Sequence, residues 1–222
     1  MYADDAVILA PSPSALQELV DACEQFACEN DMIYNVSKSR YIAFLPSSCS
    51  NLFVPKIVLG NSVLKRVYTH KYLGVFVTAD LSDDLDIERQ IHATYVRGNM
   101  LIQKFKHCSD LVKLRLFQTY CINFYCSQLW CRYKRRSQQR LKVAYNNIFR
   151  KFMCIERKSS ISGAFVLARV DGYCAVRRRF LYSFYNRIMK SKNALLCNIM
   201  SSVYFTQSSK CFSEINGLLF IY

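Results

Sequence analysis

Asp4 and Asp5 stand side by side near the front of the 222-residue chain, in the run Tyr2-Ala3-Asp4-Asp5-Ala6-Val7-Ile8-Leu9-Ala10. Two adjacent carboxylates raise each other's pKa unless a cation lies beside them. A hard divalent ion such as magnesium, which takes oxygen ligands, relieves that repulsion. The apolar run Ala6 to Ala10 has the length of a buried strand, and Asp is favoured in tight turns. The spacing thus puts the pair on the tip of a hairpin with its oxygens facing a cleft. A solvated surface turn uses the same dipeptide, so the order of features behind it carries the metal-binding reading.

Those features are the elements that must hold such a pair in place. Ser12-Pro13 combines a capping side chain with proline at the first helical position. Leu16, Leu19, Val20, Cys23, Phe26 and Ala27 then recur at three and four, so a helix from Pro13 to Glu29 is expected, with Gln17, Glu18, Asp21, Glu24 and Gln25 on its other face. Asn35 and Lys38 precede an expected strand from Tyr41 to Leu45, and Pro46 to Asn51 reads as a loop. Ile57 to Leu64, around Gly60-Asn61, reads as a hairpin, and Tyr72 to Val77 as a third strand. Gly74 in that strand permits a close backbone approach and equally suits a bulge.

The acids Asp80, Asp83, Asp84 and Asp86 lack the spacing and central glycine of a calcium loop. They suit the positive end of a helix dipole instead. A helix should follow with Ile87, Ile91, Tyr95, Gly98, Leu101, Ile102 and Phe105 on one face. A second should open near Ser109-Asp110 and carry Leu111, Leu114, Phe117, Cys121, Phe124, Tyr125 and Gln128 along its stripe. From Arg132 the chain turns basic, through Lys134, Arg135, Arg136, Arg140, Lys142, Arg150 and Lys151, with Tyr133, Tyr145, Phe149 and Phe152 between them. Cations that follow a phosphate backbone, beside rings that stack on bases, are the chemistry of single-strand binding. Arg177-Arg178-Arg179 then leads Phe180, Leu181, Phe184, Tyr185, Ile188 and Met189 at helical spacing, and the chain closes on the apolar Leu218 to Tyr222.

Charge divides the chain. Residues 1–90 hold 7 Lys and Arg against 12 Asp and Glu, and residues 91–222 hold 23 against 4, nets of −5 and +19 within the total of +14. An acidic part suits metal ions and a basic part suits a polyanion, of which nucleic acid is the commonest. With 52% apolar residues the chain is expected to fold rather than stay disordered. No membrane span and no secretory leader is expected, so the chain reads as intracellular rather than secreted. Eleven cysteines, an odd number without CxxC pairs, read as reduced thiols, and with three histidines a zinc site is not expected.

From Tyr2 onward the sequence resembles the reverse transcriptase domain of non-LTR (LINE-type) retrotransposons. Tyr2-Ala3-Asp4-Asp5 matches the metal-binding turn of the polymerase palm, Asn35-x-x-Lys38 the fourth palm motif, and Tyr72-Leu73-Gly74 the primer-grip motif. The resemblance implies catalytic roles for Asp4, Asp5 and Lys38, with Mg²⁺ held by Asp4 and Asp5. It implies Lys38 near the phosphates of the incoming nucleotide, and Tyr72, Leu73 and Gly74 against the primer's 3′ end. Chemically, an ammonium such as that of Lys38 can neutralise a leaving pyrophosphate or donate a proton to it. The basic residues Arg132, Lys134, Arg135, Arg136, Arg140 and Lys142 would bind nucleic acid.

The implied fold is α+β: a truncated palm (hairpin, helix, short antiparallel strands) over residues 1–79, thumb-like helices over 80–132, and a basic helical C-terminal region over 133–222. The partners would be an RNA template, a DNA primer and deoxynucleotides, with no membrane, in a nuclear or cytoplasmic ribonucleoprotein. The family's two-metal chemistry uses a third aspartate on an earlier strand, which this sequence does not supply ahead of Tyr2. The sequence therefore reads as a C-terminal fragment, weak in Mg²⁺ binding and inactive alone. A non-catalytic nucleic-acid-binding module, or a retroelement relic, is the alternative.

Overall fold

The computed structural model describes residues 5–46 and 53–201, and the chain divides into two compact units, residues 1–82 and 83–222. The architecture is α+β, with seven α-helices and six short strands among the described residues.

In the first unit, α1 spans Pro13–Glu29, the expected range, and the Ser12 side chain accepts the Ala15 N–H as its cap. The strands are β1 (Arg40–Tyr41), β2 (Val58–Leu59), β3 (Ser62–Val63), β4 (Lys65–Arg66), β5 (Thr69–Tyr72) and β6 (Val75–Thr78). They form three separate pairs: β1 with β4 in parallel, β2 with β3 and β5 with β6 antiparallel. Gly60-Asn61 is the β2–β3 turn as expected, with Gly60 at φ 59°, a conformation that glycine reaches without steric cost. The core is small: Val20, Ile57, Leu59 and Leu64, with Ile8, Leu16, Tyr34, Val36 and Tyr41 packed around it.

Three local expectations are corrected here. Ala6 to Ala10 forms no strand, and only Ile8 of that run joins the core; a strand needs a neighbour to take its backbone groups, and none of the three strand pairs includes these residues. The strand expected from Tyr41 to Leu45 ends at Tyr41, where its pairing with Arg66 of β4 ends. Tyr72 to Val77 is a hairpin rather than one strand, because Leu73 (φ 45°) and Gly74 (φ 82°) reverse the chain. Positive φ at both central residues is the signature of the two-residue turn whose twist matches paired strands.

The faces of α1 are also turned from those expected. Val20 and Ala27 are buried while Leu19 and Phe26 are more than 40% exposed. Gln17, assigned to the outer face, uses its amide as an extra strand residue: Nε2 donates to the Val58 carbonyl at 2.8 Å and Oε1 accepts the Val58 N–H at 2.9 Å. Glu24 accepts the Gly60 N–H at 3.0 Å. Short strands leave backbone groups open, and these polar side chains satisfy them.

The second unit is helical: α2 (Asp84–Phe105), α3 (Asp110–Tyr120), a 3₁₀ turn at Ser127–Leu129, α4 (Arg135–Phe152), α5 (Ile161–Leu167), α6 (Tyr173–Met189) and α7 (Ala194–Ser201). The expected α2 face is buried at Ile87, Ile91, Gly98 and Leu101. A Cβ on Gly98 would lie 2.4 Å from Ile148 Cγ2, so α2 and α4 approach closely there. Six aromatic rings, Phe117, Phe124, Tyr145, Phe149, Phe165 and Tyr173, interlock in the core, the closest pair being Phe149 and Phe165 at 4.3 Å. Tyr145 satisfies its hydroxyl by donating to the Asp171 carbonyl at 2.7 Å.

The helix expected to run from Ser109 through Gln128 ends at Tyr120, and Leu111 is 70% exposed rather than on the inner stripe. The carbonyls that would continue it are taken by α2 side chains: Gln90 Nε2 donates to Asn123 O at 3.1 Å and Arg89 Nη2 to Tyr125 O at 3.4 Å. Cys126 then adopts a left-handed φ of 60°, which an α-helix does not admit.

Candidate nucleic-acid interface

The acids at the start of α2 do more than face its dipole. Asp83 Oδ2 accepts the N–H groups of Cys131 and Arg132, each at 2.7 Å, and its own N–H donates to the Arg132 carbonyl at 2.7 Å. Asp84 accepts the Lys134 N–H at 2.9 Å. Asp86, 1% exposed, accepts Trp130 Nε1–H at 2.9 Å and both arms of Arg89 at 2.6 and 3.1 Å. Burial raises the Asp83 carboxyl above its usual range, and the two backbone N–H bonds oppose that rise. Apart from the Arg89 pair, these contacts bridge more than forty residues of sequence, so no local pattern shows them. They anchor residues 130–134, the entry to the basic helix.

From that anchor α4 emerges as a two-sided helix. Leu141, Ala144, Tyr145, Ile148, Phe149 and Phe152 are buried. Arg132, Lys134, Arg135, Arg136 and Arg140 are exposed, as is Lys151, while Lys142 is half-buried. Arg136, Arg140, Asn147 and Lys151 fall at helical spacing on the solvent side. Arg140 is braced by Glu88, with Nη1 2.7 Å from Oε2.

The expected stacking rings are not offered to a ligand. Tyr145, Phe149 and Phe152 lie in the core, and the half-buried Tyr133 accepts Arg177 Nη2–H at 2.6 Å while that guanidinium covers its ring at 5.0 Å. The signal for this was available: Leu141, Tyr145, Ile148 and Phe152 are one helical stripe. Of the arginine triplet, Arg177 is buried, Arg179 pairs with Asp171 at 2.6 Å, and Arg178 is exposed. The α4 surface is therefore a row of cations without available rings.

In the first unit, Asp4, Tyr2 and Ala3 lie outside the described residues, and Asp5 is exposed. Lys38 is exposed on a turn closed by Asn35, whose Oδ1 accepts the Lys38 N–H at 3.1 Å and the Ser37 hydroxyl at 2.7 Å. Tyr72 is half-buried at the end of β5, and Leu73-Gly74 is the β5–β6 tip. Among the described residues no hydrogen bond or ion pair joins Asp5 to Lys38, and no group of three or more His, Cys, Asp or Glu gathers as for a metal. No disulfide joins the nine described cysteines, and no described helix is long and apolar enough to cross a membrane. Compared with known proteins, the chain matches no family model, no curated protein and no solved structure.

Proposed function

We propose that residues 1–222 carry the C-terminal part of an RNA-directed DNA polymerase of the non-LTR retrotransposon kind, with a palm portion followed by thumb-like helices and a basic helical region. The observation that carries this reading is the order of motifs: Tyr2-Ala3-Asp4-Asp5, then Asn35 and Lys38, then Tyr72-Leu73-Gly74, then amphipathic helices rich in cations. Supporting it, Lys38 is exposed on its Asn35-closed turn, and no ion pair engages it among the described residues.

In this reading Asp4 and Asp5 would hold Mg²⁺ together with a third carboxylate from another segment, and the ion would supply activation of the primer hydroxyl. Residues 1–222 alone bind primer–template and do not extend it. Supplying the fingers and the aspartate-bearing strand of such a polymerase in trans should restore primer extension on an RNA template, and Asp4→Asn with Asp5→Asn should abolish it. Extension that is equal in the doubly substituted chain contradicts the proposal.

A second reading, a nucleic-acid-binding module without catalysis, is favoured by one observation, the exposed cation row Arg136, Arg140 and Lys151 on α4. Binding that persists unchanged in Asp4→Asn and Asp5→Asn, with no restored extension, selects it.

A further inference from the structure

The α4 surface has cations without available rings; the C-terminal half of α6 has both. Tyr182, Ser183, Asn186, Arg187 and Lys190 line a groove of about 460 Å³. It is an open, shallow face of one helix, suited to a planar group laid on it rather than to an enclosed molecule. Tyr182 is 55% exposed, so its ring face is open to a ligand in a way that Tyr145 and Phe149, in the core, are not. Arg187 and Lys190 are exposed, and no ion pair engages either among the described residues. From Gly172 to Ser201 the sequence contains no acid, so nothing on this stretch repels an anion.

We propose that this groove seats a base of single-stranded nucleic acid on the Tyr182 ring, with the flanking phosphates on Arg187 and Lys190. Asn186 supplies an amide with two donors and an acceptor, and Ser183 a hydroxyl, both suited to a base edge. A ring accepts any base face, so the seat is tolerant of sequence. An acidic peptide would satisfy the two cations but would leave the exposed ring without a planar partner. The inference rests on the nucleic-acid reading of the helical unit and adds to it a division of labour: duplex backbone on α4, an unpaired strand on α6.

The test is fluorescence anisotropy of the full chain with a short labelled oligouridylate and, separately, with a labelled RNA–DNA duplex. Tyr182→Ala should weaken oligouridylate binding about tenfold, within the range for one lost stacked base, and leave duplex binding unchanged. Tyr182→Phe, which keeps the ring, should bind both like the parent chain. Emission from the buried Trp130 reports whether each variant is folded. Indifference of oligouridylate binding to Tyr182→Ala, equal weakening on the duplex, or an equal loss in Tyr182→Phe overturns the inference. So does a polyglutamate peptide that competes as well as oligouridylate. If the parent chain binds no nucleic acid, both this inference and the reading beneath it fall; if duplex binding stands while oligouridylate ignores Tyr182, only this one falls.

Discussion

Five apolar side chains are buried among the described residues of 1–82, against nineteen among those of 83–222. The first unit is held by polar devices: the Gln17 amide on the Val58 backbone, Glu24 on Gly60, Asn35 on its own turn. The second is held by interlocked rings around Tyr145 and by Asp86 beneath Trp130. Apolar burial scales with area and resists single losses, whereas a buried hydrogen-bonded group is costly to leave without its partner. The two units should therefore fail differently, and that difference can be probed residue by residue.

The largest effect is expected at Trp130. Trp130→Ala removes the largest side chain in the core and one of the donors to Asp86, which keeps Arg89, for a loss of about 3–5 kcal/mol in chemical denaturation of the helical unit. Asp86→Ala strands Arg89 and should cost about 3 kcal/mol by the same measurement. Gly98→Ala forces α2 off Ile148 and should cost about 1–3 kcal/mol. In the first unit, Gln17→Ala exposes or orphans both Val58 backbone groups and should cost about 1–2 kcal/mol, read as faster hydrogen exchange at Val58 while the α2 and α4 amides stay protected. If Gln17→Ala instead loosens the whole chain equally, the two units are one cooperative body.

The smallest effect is electrostatic. Because burial raises the Asp83 pKa, its carboxyl binds a proton more tightly folded than unfolded. Its contribution is thus fully present below the unfolded value of 3.8 and declines as pH rises through the raised folded value. Asp83→Asn should flatten the pH dependence of stability in that window, and a variant that tracks the parent curve removes Asp83 from the account.

Local chemistry was the legible part of the sequence. Ser12-Pro13 started α1 and Gly60-Asn61 turned a hairpin, because caps and turns are decided within a few residues; α3 opened at Ser109-Asp110 as well, though the Ser109 side chain makes no capping bond. What was not legible depended on distant partners. Ala6 to Ala10 lacked a neighbouring strand, Gln17 found Val58 forty-one residues away, and Asp83, Asp84 and Asp86 found residues 130–134. The rings of α4 were misassigned for another reason: the same Tyr and Phe types serve stacking and core, and only their periodicity separated the two.

The central claim is that the helical unit turns its cations, and not its α4 rings, toward a nucleic-acid backbone. It is tested most directly by the salt dependence of RNA–DNA duplex affinity for the chain and for the triple variant Arg136→Gln, Arg140→Gln, Lys151→Gln. Each lost phosphate contact lowers the slope of log affinity against log salt by about 0.9. The account predicts a steep slope that is shallower by about 2.7 in the variant, with unfolding little changed. A slope that is the same in both chains contradicts it.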